Sequence, residues 1–288
     1  MRNFAPVLTV LALLLALWYL GAFLMNAQWT YDQAARAGNT VGFSHLVSDT
    51  MSQAKPKLPA PHQVLAELKK TTLDLAPTSK RSLILHAGIT LGATLSGFLF
   101  GTLIGILMAI AVVQWRTVDL GLSPWAIISQ TVPIVALAPM IVVLSSKIGI
   151  DGKLIPKTLI SAYLSFFPVF VSMVKGLRSP DQMQLDLLRT YGARPSDVFL
   201  KLRLPAALPY FFAAMKIAMA AALVGVIVAE LPTGATQGLG ARMLIGSQFG
   251  EPIIMWAALV AASLLAAALI LGVSLLEKLL SRAMGARA

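Results

Sequence analysis

The feature that most constrains this chain is a series of apolar runs, each about as long as a lipid bilayer is thick. Residues 5–25 (APVLTVLALLLALWYLGAFLM) contain no charged side chain, and about 20 such residues cross the hydrocarbon core as a helix. Similar runs with few charges cover 86–113, 123–146, 154–174, 209–230 and 252–275. Because lipid solvates no backbone N–H or C=O group, such runs cross it as helices. The sequence therefore predicts an all-α polytopic membrane protein with six transmembrane helices.

Composition excludes several other classes of protein. Of the 288 residues, 57% are hydrophobic and only 12% are charged, which is too apolar for a soluble domain. The net charge of +11 could suggest a nucleic-acid partner, but in so apolar a chain basic residues facing anionic lipid explain it better. We expect a lipid bilayer as the partner and no nucleic acid. There is no cysteine, and the three histidines, at 45, 62 and 86, are far apart, so no metal site is expected.

The run over residues 1–25 is predicted to be a retained first span, with the N-terminus in the cytoplasm. A signal peptide is the alternative, but the run is long for one and lacks a small-x-small cleavage site. The polar segment 26–85 follows as a periplasmic or interfacial region. Within it, prolines 59 and 61 lead into an amphipathic helix that carries Val64, Leu65, Leu68 and Leu75 and is predicted to lie along the membrane surface.

A charged insert separates the fourth and fifth apolar runs. It reads DLLRTYGARPSDVFLKLRLPAALP, from Asp186 to Pro209, and its charges must lie in water. Gly192 permits a left-handed turn that ends one helix, and Pro195 begins another. Pro205 and Pro209 are predicted to end this second helix before the next span. The insert therefore predicts two short helices joined by a turn, and an ordinary polar loop is the simpler alternative.

This insert resembles the EAA loop of the membrane subunits of bacterial binding-protein-dependent ABC importers. Gly192 lies six residues after Asp186, and a Leu-x-Leu-Pro ending follows; Asp186-Leu187-Leu188 replaces Glu-Ala-Ala. The resemblance implies a type I ABC importer permease fold, in which a cytoplasmic coupling-helix loop over 176–208 contacts the ATPase. The contact residues that it implies are Asp186, Leu187, Arg189, Gly192, Ala193, Phe199, Leu202, Leu204 and Pro205.

Two further stretches resemble the nitrate, sulfonate and taurine branch of this family. SPWAIISQTVPIVALAPMIVV resembles its proline-rich pathway span, and AELPTGATQGLG resembles its outer segment. The candidate translocation-path residues are Gln130, Thr131, Pro133, Ser161 and Glu230. The hydroxyl and amide groups could equally be interhelical hydrogen-bond partners. Glu230 could cap the membrane interface or shape an outer gate.

The charge distribution predicts the topology. Six spans with both termini in the cytoplasm leave few basic residues in the short outer loops, namely Lys147, Lys153, Lys157 and Arg242. Residues 86–276 would form the transport core and 277–288 a basic cytoplasmic tail. Lys216, near the start of the fifth span, is predicted to extend to the cytoplasmic interface.

The resemblance also implies an assembly. It would contain two permease copies, most simply a homodimer, with two ATPase subunits and a periplasmic substrate-binding protein. ATP and Mg²⁺ would bind to the ATPase, since no GxxxxGK[ST] loop occurs here; we expect no cofactor and no enzyme activity on this chain. The expected substrate is a small organic anion or a nitrogen- or sulfur-containing nutrient. A gradient-driven secondary transporter and a non-transporting membrane scaffold are the alternatives.

Overall fold

The computed structural model describes residues 4–36, 38, 40, 42–147, 154–231 and 237–283, and most of them are helical. None of these residues lies in a β-strand. The helices are α1 Phe4–Arg36, α2 Phe43–Ser52, α3 Pro61–Lys69, α4 Leu83–Gln114, α5 Arg116–Ser129, α6 Ile134–Lys147, α7 Leu154–Leu177, α8 Gln182–Thr190, α9 Pro195–Val198, α10 Leu204–Glu230, α11 Leu239–Gln248 and α12 Pro252–Ala283. Single π-helical turns lie at Lys70–Asp74 and Phe199–Arg203.

The long helices coincide with the predicted spans. Within the described residues, five are long and apolar enough to cross a membrane: Ala5–Arg36, Leu83–Gln114, Leu154–Leu177, Pro195–Glu230 and Pro252–Arg282. A sixth span is obtained if α5 and α6 are taken together. The all-α polytopic prediction is confirmed.

The third span differs from its prediction as one helix over 123–146. It starts at Arg116, and its two parts, α5 and α6, are bent by 99° at a short break. Pro133 lies in this break and has no N–H to continue the helical hydrogen bonds. Pro124 and Pro139 lie inside α5 and α6 without breaking either helix. One proline of the three therefore coincides with the bend.

The described residues fall into two compact units. The first unit contains residues 1–87 and 241–262, and the second contains 88–240 and 263–288. The predicted outer loop around Asp151 and the end of the basic tail lie outside the described residues. The domain boundaries inferred from the sequence stay predictions.

In the first unit, α1 continues well beyond the predicted end of the first span. Asn26 is fully buried. Its amide nitrogen donates to the carbonyls of Thr50 and Leu58, at 3.2 and 2.9 Å. Its side-chain oxygen accepts from the N–H groups of Lys57 and Leu58, at 2.9 and 3.2 Å. This asparagine ties the extended part of α1 to the residues around α2, which explains why a segment without a clear apolar period is ordered. The helix predicted after the two prolines is present as α3 and the π turn that follows it, but Leu75, which was predicted to lie on this helix, is extended and follows the turn.

In the second unit, α7 contacts both α4 and α10 through small residues. A Cβ added to Gly97 would lie 2.2 Å from the Cβ of Ser161, and one added to Gly101 would lie 2.7 Å from the carbonyl oxygen of Ala162. A Cβ added to Gly225 of α10 would lie 2.9 Å from the Cα of Ser161. Gly97 and Gly101, four residues apart in α4, therefore form part of an intrachain packing face.

This packing yields a direct test. Gly97→Ala places a methyl group inside the contact with α7, and overpacking of this kind typically costs about 1–3 kcal/mol. Gly92→Ala is the matched control, because nothing lies within 4 Å of its added Cβ. We expect Gly97→Ala to lower the thermal unfolding midpoint in detergent by several degrees while Gly92→Ala leaves it unchanged or slightly raised. Equal midpoints for the two variants would contradict the close contact.

Candidate functional site

The charged insert folds into the helix–turn–helix that the sequence predicts. Asp181 precedes α8 and forms a capping box with Gln184. At the other end, the N–H of Ala193 donates to the carbonyl of Leu188 at 3.0 Å and that of Gly192 to Arg189 at 2.9 Å, the pattern of a Schellman motif. Gly192 has a φ of +70°, in the left-handed region that favours glycine. The turn therefore depends on this glycine.

The predicted end of the second helix is wrong. α9 runs into the π-helical turn Phe199–Arg203, and this turn runs directly into α10, which includes both Pro205 and Pro209. Pro205 has no N–H to continue the helical hydrogen bonds, and it lies two residues after the π turn with helical backbone on both sides. The wider π turn before it accommodates the change in hydrogen bonding. α9, the π-helical turn and α10 thus form one continuous helix from Pro195 to Glu230.

The outward face of the loop is an apolar stripe that runs along α8 and ends at Tyr191, the residue after this helix. Met183 and Tyr191 are each 79% exposed and Leu187 is 56% exposed. Their spacing of four residues places them on one side of the helix. We call these three residues the docking stripe. Of these three residues only Leu187 was predicted from the sequence, although the i, i+4, i+8 spacing is visible there.

The inward face packs against the end of α4. Leu185, Val198 and Phe199 line a cleft with Val113 and Gln114. The coupling residues inferred from the resemblance therefore fall into two sets. Leu187, Asp186, Arg189, Gly192 and Pro205 are exposed, and Ala193, Phe199, Leu202 and Leu204 are half-buried. Asp186 and Arg189 form a surface ion pair at 3.1 Å, which contributes little to stability.

An ion pair links this loop to the bent third span. Arg178 lies between α7 and α8, and its guanidinium is 2.7 Å from a carboxylate oxygen of Asp119, near the start of α5. The hydroxyl of Ser123 donates to the other carboxylate oxygen at 2.7 Å. A displacement of the loop would therefore act directly on α5 through this ion pair.

Three of the candidate path residues meet at the bend. Gln130 is half-buried there, and Thr131 and Pro133 are exposed. The bend is held from α7, where the hydroxyl of Tyr163 donates to the backbone carbonyl of Ser129. Ser129 is the last residue of α5, and its carbonyl also accepts from the N–H of Val132 at 3.4 Å.

Ser161 lies away from the bend and is fully buried. Its hydroxyl donates to the carbonyl of Ala222 on α10 at 3.0 Å, so it bridges two helices in this structure. The sequence left this alternative open, and the geometry favours it.

The fifth path candidate, Glu230, belongs to a buried ion pair. The Nζ of Lys157 is 2.9 Å from Oε1 of Glu230, and the two side chains are 4% and 0% exposed. The prediction that Lys157 lies in an outer loop is wrong, because the residue lies in the first turn of α7 and its side chain is buried. A lone lysine and a lone glutamate in otherwise apolar runs were the available signal.

The remaining hydrogen bonds of this pair tie four segments together. Lys157 also donates to the carbonyl of Gln237 at 3.1 Å. The hydroxyl of Thr90 on α4 donates to Glu230 at 3.0 Å, and the N–H of Gly240 donates to it at 2.8 Å. The N–H of Leu239 donates to Thr90 at 2.9 Å. The carboxylate thus caps the first turn of α11, where a negative charge is favourable.

Two other sequence predictions concern residues elsewhere in the chain. Lys216 does not extend alone to the interface; its Nζ is 2.5 Å from Glu277 of α12. In the part of the chain that the structure describes, no three His, Asp or Glu side chains group as metal ligands. His62 and His86 instead contact the backbone carbonyls of Met51 and Lys80.

The long apolar helices define the chain as an integral membrane protein, and its structured polar loop presents an exposed apolar stripe. Residues 101–286 match the family described as the binding-protein-dependent transport system inner membrane component, and the chain belongs to this family. It is therefore a multi-pass inner-membrane protein of the ABC permease type with the type I permease fold.

Similar proteins are known from several bacteria. A probable ABC transporter permease of Haemophilus influenzae is 36% identical over 144 residues, which is 50% of this chain and 56% of that protein. The formylaminopyrimidine transport permease ThiX of Halalkalibacterium halodurans is 31% identical over 198 residues, covering 68% and 73%. The riboflavin transport permease RibX of Chloroflexus aurantiacus is 29% identical over 167 residues, covering 58% and 60%. The match to the Haemophilus protein thus spans little more than half of its length.

The buried ion pair predicts a stability effect with a specific pattern. Lys157→Met leaves Glu230 buried without its cation, which typically costs about 3–5 kcal/mol. Adding Glu230→Gln removes the uncompensated charge and keeps hydrogen-bonding capacity. We expect the thermal midpoint to fall strongly in Lys157→Met and to recover in large part in the double variant. A double variant that is no more stable than Lys157→Met would show that the ion pair is not the cause.

Proposed function

We propose that this chain is the permease subunit of an ABC importer, which moves a small solute by alternating access driven by a separate ATPase. The observation that carries the proposal is the exposed docking stripe on a glycine-turned loop that continues without interruption into α10. Each feature of that loop suits contact with another protein, since an exposed row of two large apolar residues and a tyrosine in water is otherwise unfavourable.

The proposed coupling mechanism depends on the rigidity of the helices that connect the loop to the fifth span. α8 would insert its docking stripe into a groove on the ATPase, where ATP and Mg²⁺ bind. Closure of two ATPase subunits would draw the loops of two permease copies together. Because the π-helical turn joins α9 to α10, the displacement would reach the fifth span as a rigid-body movement. The Arg178–Asp119 ion pair, at 2.7 Å, would carry the same displacement to α5.

The bent third span is the proposed wall of the translocation path. A break in a membrane helix leaves backbone groups that must be satisfied by protein or by a water-filled cavity. Gln130, Thr131 and Pro133 lie at this break and would face a path formed with the second permease copy. We propose a homodimer, because each copy carries one coupling loop. Ser161 and Glu230 would support the helices around the path rather than touch the solute.

The substrate is proposed from the relatives. Their names specify transport of a formylaminopyrimidine, of riboflavin and, in Bacillus subtilis and Escherichia coli, of aliphatic sulfonates. These are small solutes that contain nitrogen or sulfur. We propose a solute of this kind, delivered by a periplasmic binding protein, with both termini of the permease in the cytoplasm.

Docking of the ATPase can be tested by removing the stripe. The variant Met183→Ser/Tyr191→Ser keeps α8 polar and helical but deletes its largest exposed side chains. We expect the proposed ATPase partner to co-purify with the wild type and to be lost from the variant. Gln182→Ala, exposed on the same helix, is the control and should retain it. Retention of the ATPase by the double serine variant would refute docking through the stripe.

The glycine turn provides a second test, read out by uptake in reconstituted vesicles. Gly192→Val forces a β-branched residue into a positive φ of +70°, a conformation that such residues avoid. Gly192→Asn tolerates this region and serves as the control. We expect ATP-dependent uptake to be lost in the valine variant and largely kept in the asparagine variant, with both inserted normally. Normal uptake by Gly192→Val would count against a functional role of the turn. Uptake that needs an ion gradient and no ATP would favour a secondary transporter instead.

A further inference from the structure

The first unit contains a polar cavity that the transport mechanism does not use. It has a volume of about 340 Å³ and is lined by Glu67, Lys70, Thr71, Leu75, Arg81, Arg242, Glu251 and Ile254. All of these residues belong to the first unit, so the cavity is formed within one compact body. Its volume lies at the small end of the range of ligand-binding pockets.

One buried group in this cavity lacks a hydrogen-bond partner within the described part of the chain. The Nε of Arg242 is buried, and it has no hydrogen-bond partner among the residues that the structure describes. A buried N–H without a partner is costly, and more so when it carries charge. Burial lowers the pKa of the Arg242 guanidinium below its ordinary value, Arg81 adds to this effect, and Glu251 and Glu67 oppose it. The nearby carboxylates therefore act at a distance and do not bind Nε.

The lining also has a charge that its own residues do not balance. Three side chains are cationic, at positions 70, 81 and 242, and two are anionic, at 67 and 251, which leaves one net positive charge. Part of this set is already engaged, since the Nζ of Lys70 lies 3.6 Å from Glu67. Arg81 and Arg242 remain the groups best able to receive an added anion.

We propose that this cavity binds a single monoanionic oxyacid group, a carboxylate, sulfonate or phosphodiester, with Arg242 as its principal ligand. A guanidinium matches the paired oxygens of such a group, and one negative charge neutralises the lining. Leu75 and Ile254 leave room for a short apolar substituent. The anion comes either from a soluble organic acid or from a lipid headgroup. None of the lining residues belongs to the charged insert.

Binding is measured directly, without transport, on the full chain in a neutral maltoside detergent. The probe is methanesulfonate, whose methyl protons are followed by saturation-transfer NMR, with acetate as a second probe. We expect a saturable signal for the wild type that weakens at least tenfold in Arg242→Gln. Lys55→Gln removes an exposed cation of the same unit outside the cavity and should bind within twofold of the wild type.

Folding controls, a second variant and a competing lipid complete the binding experiment. Monodisperse elution and an unchanged thermal midpoint establish that a variant is folded, and Arg81→Gln tests the same cavity if Arg242→Gln does not fold. Competition with dihexanoylphosphatidylglycerol identifies the source: displacement of methanesulfonate at lower concentration indicates a lipid headgroup, and its absence indicates a soluble acid. A folded wild type that gives no saturable signal with the probes or the lipid overturns the proposal. So does wild-type affinity in folded Arg242→Gln.

Discussion

A hydrocarbon interior solvates neither a charge nor an unpaired backbone group, and the placement of every polar feature in this chain reflects that constraint. The buried carboxylate of Glu230 is surrounded by donors: an ammonium, a hydroxyl and a backbone N–H. The broken end of α5 receives the hydroxyl of Tyr163. The charged residues of the insert between α7 and α10 lie at exposed or half-buried positions. Around Glu230 and at the end of α5, protein groups take the place of water.

The second consequence of the constraint is close helix packing. Lipid offers little hydrophobic driving force between helices, so association depends on contact area and on small residues that permit it. Ser161 is held between the glycines of α4 and α10, closer than any larger side chain would allow. A unit packed in this way moves as a block. The proposed mechanism needs such rigidity. A movement of the loop at the start of α10 must reach the bent third span without being lost to deformation of the helices between them.

The sequence predicted the features that depend on local chemistry. Uncharged runs of sufficient length identified the spans, and Gly192 followed by Pro195 identified the helix–turn–helix. The continuation of the helix through Pro205 was not predicted. A proline interrupts a helix only where the missing N–H is needed for a hydrogen bond, and the π turn before Pro205 is not visible in the sequence. The docking stripe could have been found from the spacing of Met183 and Tyr191.

Features that depend on tertiary contacts were out of reach. Lys157 and Glu230 are 73 residues apart, and nothing local distinguishes a lysine that extends to the membrane interface from one that enters a buried ion pair. Asn26 similarly appears as an ordinary polar residue after an apolar run until the carbonyls and N–H groups that surround it are known. The 99° bend was indicated only as a proline-rich span, because three prolines offered three possible positions.

The most direct test of the account is a distance measurement between the coupling loops of two permease copies. The chain has no cysteine, so Ser196→Cys introduces a unique spin-label site on exposed α9. In the assembled complex with its ATPase, the account predicts a defined label-to-label distance that shortens when ATP binds to a hydrolysis-deficient ATPase. An assembled complex with the same distance distribution with and without ATP would contradict it.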